Sequence, residues 1–204
     1  DGSATALSGP STSKQGFDMV YGEDNNIYYA YSEEYDISVK KISNTGSVSW
    51  TISAVTNSAD DIVKAIYPSP GSGCVIIYES QSFIEGSHIY AVAVSGSGSI
   101  QSGWPVILSD LAEDQYYESS TLTDNGIFVS FKDNTAGNYD LYGQHVAFNG
   151  SLMSGLTGIA IANATYDQES SNLAYNQFEE IIFICYQSSN ASGETDVHCN
   201  EVNL

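Results

Sequence analysis

DVHCNEVNL, residues Asp196–Leu204, has three longer counterparts in the same chain. They are DISVKKISNTGSVSW (Asp36–Trp50), HIYAVAVSGSGSIQSGW (His88–Trp104) and DLYGQHVAFNGSLMSGL (Asp140–Leu156). Each longer copy opens on Asp or His, alternates apolar and polar residues, and crosses a Gly/Ser/Asn turn into another apolar segment, which starts at Trp50, Trp104 or Leu156. Alternation with period two marks a half-covered strand, and such turns join antiparallel neighbours. Ahead of each copy runs another short strand ending in an aromatic residue: Tyr31, Tyr78, Phe131 or Tyr186. Polar pairs, Asp60-Asp61, Asp114-Gln115 and Asp167-Gln168, recur between copies, and all the landmarks repeat with a period of about 50 residues.

Each repeat therefore holds four short strands, whereas the last shows three. The N-terminal run ATALSGPSTSKQGFD (Ala4–Asp18) lies over WTISAVTNSADDIVK (Trp50–Lys64) without a gap. Residues 3–8 thus read as the strand missing after Leu204. The expected fold is all-β: a four-bladed β-propeller in one domain, residues 1–204. Its blades lie near 16–55, 62–108, 116–161, and 169–204 plus 3–8. An open strand edge beside residues 196–203 would leave unpaired N–H and C=O groups, which the N-terminal strand is expected to cover. That strand can come from the same chain or, through the Ser/Gly/Pro-rich stretch Gly9–Gly16, from a neighbouring subunit.

This closure resembles the velcro of β-propellers, and four blades of about 50 residues resemble the hemopexin-type propeller. The likeness is architectural; hemopexin's sequence motifs are missing, so heme binding is not implied. SNTGSVSW (Ser43–Trp50) resembles the Asp box of sialidases, with Thr45 at the place of the Asp. Sialidase chemistry needs clustered arginines, and a chain with five Lys+Arg argues against it.

The formal charge of −20 excludes most partners that carry phosphate, so neither nucleic acid binding nor attachment to an anionic membrane is expected. No apolar run is long enough to insert into a bilayer. Of the three Cys, Cys185 and Cys199 occupy facing places on two neighbouring strands of the last unit and are expected to form a cross-strand disulfide. A disulfide implies an oxidising, extracellular or cell-surface setting. Cys74 is left over, as a buried thiol or a link to another chain.

Few residues announce chemistry. His88, His145 and His198 show no spacing suited to one metal ion. Asp60, Asp61, Asp114 and Asp167 fall where turns approach a propeller's axis; converging oxygens there would suit Ca²⁺, while the plainer reading is that they cap turns. Tyr28, Tyr29, Tyr116 and Tyr117 stand beside acidic residues and are candidate sugar-stacking aromatics, or else filling between blades. Asn149, Asn163 and Asn190 begin N-glycosylation sequons. A glycosidase needs two carboxylates facing each other across a sugar, and the linear sequence places no pair that way. The expectation is thus a non-catalytic extracellular structural or interaction module. It would self-associate head-to-tail by strand donation or bind an extracellular protein or glycan, with a carbohydrate-binding propeller as the alternative.

Overall fold

Strand formation follows the period-two segments directly. The computed structural model describes residues 15–204, which hold fifteen strands and no helix. They are β1 (Phe17–Tyr21), β2 (Asn26–Glu33), β3 (Asp36–Ser43), β4 (Val48–Val55), β5 (Asp60–Pro68), β6 (Gly73–Ser82), β7 (Gly86–Ser95) and β8 (Val106–Ile107). After them come β9 (Gln115–Leu122), β10 (Gly126–Asp133), β11 (Asp140–Ala147), β12 (Ile159–Ala162), β13 (Gln168–Asn176), β14 (Ile181–Ser189) and β15 (Thr195–Asn203). Each strand pairs antiparallel with the next, giving sheets β1–β4, β5–β8, β9–β12 and β13–β15. These four blade-like meanders make a propeller-like fold. The expected closing strand, residues 3–8, lies outside the described residues.

One difference falls at β8. The strand expected at 104–108 begins at Val106, because Pro105 has no N–H for the ladder; Trp104 instead turns into the core.

The turns and tryptophans that revealed the repeat do one packing job. Gly98 and Gly150 adopt positive φ in equivalent turns. Their bare Cα atoms let the Trp of the preceding sheet approach: Trp50 lies against Gly98, and Trp104 against Gly150. The Trp50 indole N–H also donates to the Gly96 carbonyl at 3.1 Å. A sheet is thereby fastened to the next at its rim. In the turn that resembles the Asp box, the Thr45 hydroxyl pairs with the Ser43 hydroxyl at 2.9 Å.

Inside, successive sheets meet through their first strands, β1 against β5 and β9 against β13, with β7 also lying on β9. One apolar cluster joins the first three sheets, and a smaller one, around Phe128, Ile182 and Ile184, joins the third to the fourth. Strand burial reports this arrangement. β6 is covered on both faces, and its run CVIIY (Cys74–Tyr78) is buried throughout. β14 has the similar run IIFIC, yet it is covered on one face; Ile182 and Ile184 are buried while Phe183 between them is 37% exposed. On the same face of the sheet, Val197 of β15 is 72% exposed. At the other end of the series, β1 likewise exposes Phe17, Met19 and Tyr21 on alternate positions.

Cys185 and Cys199 face each other in the β14–β15 register and are joined by a disulfide, with Cα atoms 4.1 Å apart. Cys74 is free and fully buried in β6, where burial pushes its thiol well above the ordinary range. No helix of the described residues is long and apolar enough to cross a membrane.

Candidate functional site

The polar pairs lie where one sheet hands over to the next. Gly86 begins β7 with φ +84°, and a Cβ there would collide with Asp114 Oδ1. That oxygen instead accepts the Ser87 backbone N–H at 2.7 Å. Asp167 does the same one sheet further on, accepting the Tyr139 N–H at 2.8 Å. Asp60 accepts from the Gln15 side chain at 2.8 Å. Asp60, Asp114 and Asp167 thus each tether the hairpin or chain that precedes them, and the four candidates Asp60, Asp61, Asp114 and Asp167 are spread over three sheet junctions. Among the described residues, no group of three or more His, Cys, Asp or Glu side chains is placed to hold a metal ion.

Gln115 and Gln168, the second members of their pairs, are buried, and both ends of each amide are hydrogen-bonded. The Gln115 amide donates to the Leu111 and Glu113 carbonyls and to Asp133, which leaves its oxygen facing His88 Nδ1 at 2.9 Å. His88 Nε2 meets the Glu85 carbonyl at 2.8 Å, so this ring pins the β6–β7 hairpin to the start of β9. Asp61 differs. It is 0% exposed, and neither carboxylate oxygen has a hydrogen-bond partner. Burial raises its pKa from 3.8 to about 6; Ser80 and Asn57 act against the rise, and the nearby Asp36 and Asp60 add to it by less.

Along the β6–β7 hairpin the surface opens. Two hollows of about 180 and 220 Å³ adjoin, sharing Ser82 and Gly86. Asn57, Ser80, Glu85, His88 and Tyr90 line the first, and Gln81, Asp114 and Tyr116 the second. The Tyr116 hydroxyl donates to Asp114 Oδ2 at 3.2 Å, which fixes the ring at the rim. At the tip of the β6–β7 hairpin, Phe83 and Ile84 are fully exposed beside the cleft. The result is a shallow trough rich in hydroxyl, amide and carboxylate groups with aromatic faces at its edge.

The nominated tyrosines separate accordingly. Tyr116 reaches the cleft. Tyr28 is corrected: it is fully buried, its hydroxyl donating to Asp24 at 2.7 Å and accepting the Gly73 N–H at 3.0 Å, so it braces the first two sheets. Tyr29 stacks on Tyr31 at 5.2 Å on the first sheet. Tyr117 packs against the main core with its hydroxyl on Ser120. The sequon residues Asn149, Asn163 and Asn190 are all exposed. Phe83, Glu85 and Tyr90 were not singled out from sequence, although an apolar pair in the turn SFIEG (Ser82–Gly86) is an unusual signal of an exposed contact.

No family model matches the chain, and no curated protein matches it. Similar solved structures include a thermostable family-43 glycoside hydrolase, 15% identical with a TM-score of 0.49, covering 91% of this chain and 70% of that one. They also include an α-L-arabinofuranosidase from Lactobacillus brevis, 11% identical with a TM-score of 0.49, covering 91% of this chain and 66% of the enzyme. A third is the extracellular domains 1–2 of Drosophila Semaphorin 1a, 11% identical with a TM-score of 0.33, covering 92% of this chain and 53% of that one. The chain spans about two thirds or less of the last two. The expectation that it is not an enzyme is withdrawn on this finding, since the similar structures include glycoside hydrolases. The reasoning behind that expectation fails on physical grounds too. Scarce arginine speaks against sialidase chemistry, whereas most glycoside hydrolases work with carboxylates brought together by folding.

Proposed function

We propose that the chain is an extracellular carbohydrate-recognising propeller whose sugar-contacting surface is the cleft along the β6–β7 hairpin of the second sheet. The observation that carries this reading is the lining itself. Asn57, Ser80, Glu85 and Asp114 offer donors and acceptors to sugar hydroxyls, and Tyr116 offers a flat face to a sugar ring, with the exposed Phe83 of the adjoining hairpin tip as a second. Two similar structures are glycoside hydrolases, which agrees in ligand class. The disulfide agrees with an extracellular setting. A glycan array followed by calorimetry tests the reading. Phe83→Ala with Tyr116→Ala should weaken the best glycan by about tenfold or more and leave the melting temperature unchanged. Measuring released reducing ends on the same glycans reads hydrolysis separately from binding. An array with no hit, or hits untouched by both substitutions, would sink the proposal.

A second reading concerns the edge of the fourth sheet. That sheet has three strands, β15 is its outer edge, and the face carrying Phe183 and Val197 is open among the described residues. We propose that residues 3–8 add the fourth strand and complete a four-bladed ring. When the strand is donated by a neighbour, the same pairing links chains head-to-tail. Deleting residues 1–9 and following particle mass against concentration decides between the two. A monomeric parent that loses stability on deletion indicates closure within the chain. A parent polymer that falls to monomers, which a DGSATALSG peptide then binds, indicates donation. Deletion that changes neither mass nor stability overturns both.

A further inference from the structure

Another hollow lies away from the cleft, between the third and fourth sheets, with a volume of about 350 Å³. That falls within the range of small-molecule sites. Its walls come from the β9–β10 turn, β11, the segment before β12 and the ends of β13 and β15. Within this hollow sits His145, 5% exposed. Its Nε2 lies 2.9 Å from the Thr123 hydroxyl, which donates its single proton to the Gly126 carbonyl at 3.0 Å. The Thr123 oxygen is therefore an acceptor, and Nε2 must carry the hydrogen. The tautomer is fixed, and Nδ1 is left as the acceptor of the ring. Burial lowers the His145 pKa, which keeps the ring neutral at pH 7. His145 lines the hollow, and a ring acceptor at such a wall suits a ligand that brings a donor.

The rest of the lining says what kind. Glu180 stands at the wall, and Asp124 interacts with Tyr175, another wall residue. No Lys or Arg lines the hollow, so the local field favours a cation. Met153, Ile159 and Val202 provide an apolar surface beside these groups. We propose that this hollow is a binding site for a small organic ammonium ion: its N–H groups donate to His145 Nδ1 and to the Glu180 carboxylate, while its hydrocarbon body lies on Met153, Ile159 and Val202. The Tyr175 ring offers the cation a π-face.

The test uses three probes of one shape: 2-phenylethylammonium, 2-phenylethanol and 3-phenylpropanoate. In calorimetry at pH 7.5 the amine should bind about tenfold more tightly than the alcohol, and the carboxylate should not saturate. Histidine ring signals in NMR should show the amine moving His145 and leaving His88 in place. Glu180→Gln removes charge from an exposed side chain, so folding should survive it. It should weaken the amine by about fivefold and leave the alcohol unchanged. Tyr116→Ala, in the separate cleft, should change neither. Equal affinity for amine and alcohol overturns the proposal, as does no amine binding at about 10 mM. Shifts confined to the β6–β7 cleft would overturn it as well.

Discussion

Phe128→Ala should destabilise the protein by about 3–5 kcal/mol, and the loss should appear first in the fourth sheet. Phe128 is fully buried on β10 and belongs to the smaller cluster with Leu141, Ile161, Ile182, Ile184 and Tyr186. Across the ladder on β11, a Cβ at Gly143 would run into the Phe128 ring. The glycine therefore leaves space that the ring fills, and truncation opens a cavity no neighbouring side chain can reach. Ile182 and Ile184 hold the fourth sheet through this contact, whereas the first three sheets share a separate and larger cluster. Hydrogen exchange should accordingly speed up in β13–β15 while β6 stays protected. Trp50 and Trp104 both pack with the larger cluster, so their fluorescence should remain native under conditions where the fourth sheet already exchanges. A loss below about 1 kcal/mol, or exchange rising equally in all sheets, would refute this division of the core.

Sequence carried the strands well because the signals are local. Alternation, turn glycines and the aromatic at the end of each second strand mark positions that β-pairing then fixes. The disulfide was legible for the same reason: Cys185 and Cys199 sit in a register set by one short hairpin. What sequence left dark depends on neighbours about 50 residues away. The aspartates of the polar pairs left two readings open, converging oxygens or caps on backbone N–H groups; Asp114 and Asp167 do accept backbone N–H groups, but from the preceding sheet's hairpin, 27 and 28 residues away. Tyr28 looked free to stack on a ligand because nothing in its own segment shows that Gly73, 45 residues on, supplies its second hydrogen bond. The cleft is assembled from three distant segments, 57–59, 80–90 and 114–116, so no linear motif could announce it. The exclusion of catalysis failed likewise, having been argued from carboxylates whose separations only folding determines.

Asp61→Asn should stabilise the protein above pH 7 and do little at low pH. Asp61 is fully buried without a partner for either oxygen, so its charged form is the costly one. In the folded chain its pKa stands at about 6, against an ordinary value of 3.8. Between those two values the folded state binds the extra proton, so the contribution of Asp61 to stability is highest below pH 3.8 and falls as pH rises through 6. Above that window the ionised carboxylate costs about 3 kcal/mol, the free-energy equivalent of the displaced pKa. An uncharged amide of the same shape removes that cost and can reach Ser80 and Asn57, the two polar neighbours. At pH 7.5 the variant should be more stable by about 2–3 kcal/mol, which raises the melting temperature of a chain this size by roughly 4–10 °C. At pH 3.5 the two proteins should melt together, because wild-type Asp61 is then protonated and uncharged. Parallel melting curves from pH 3.5 to 8 check both limbs. A gain that does not vary with pH would show that packing, not charge, is responsible. An asparagine variant less stable at pH 7.5 would show that the carboxylate has a partner the folded chain keeps, and the cost assigned to Asp61 would be wrong.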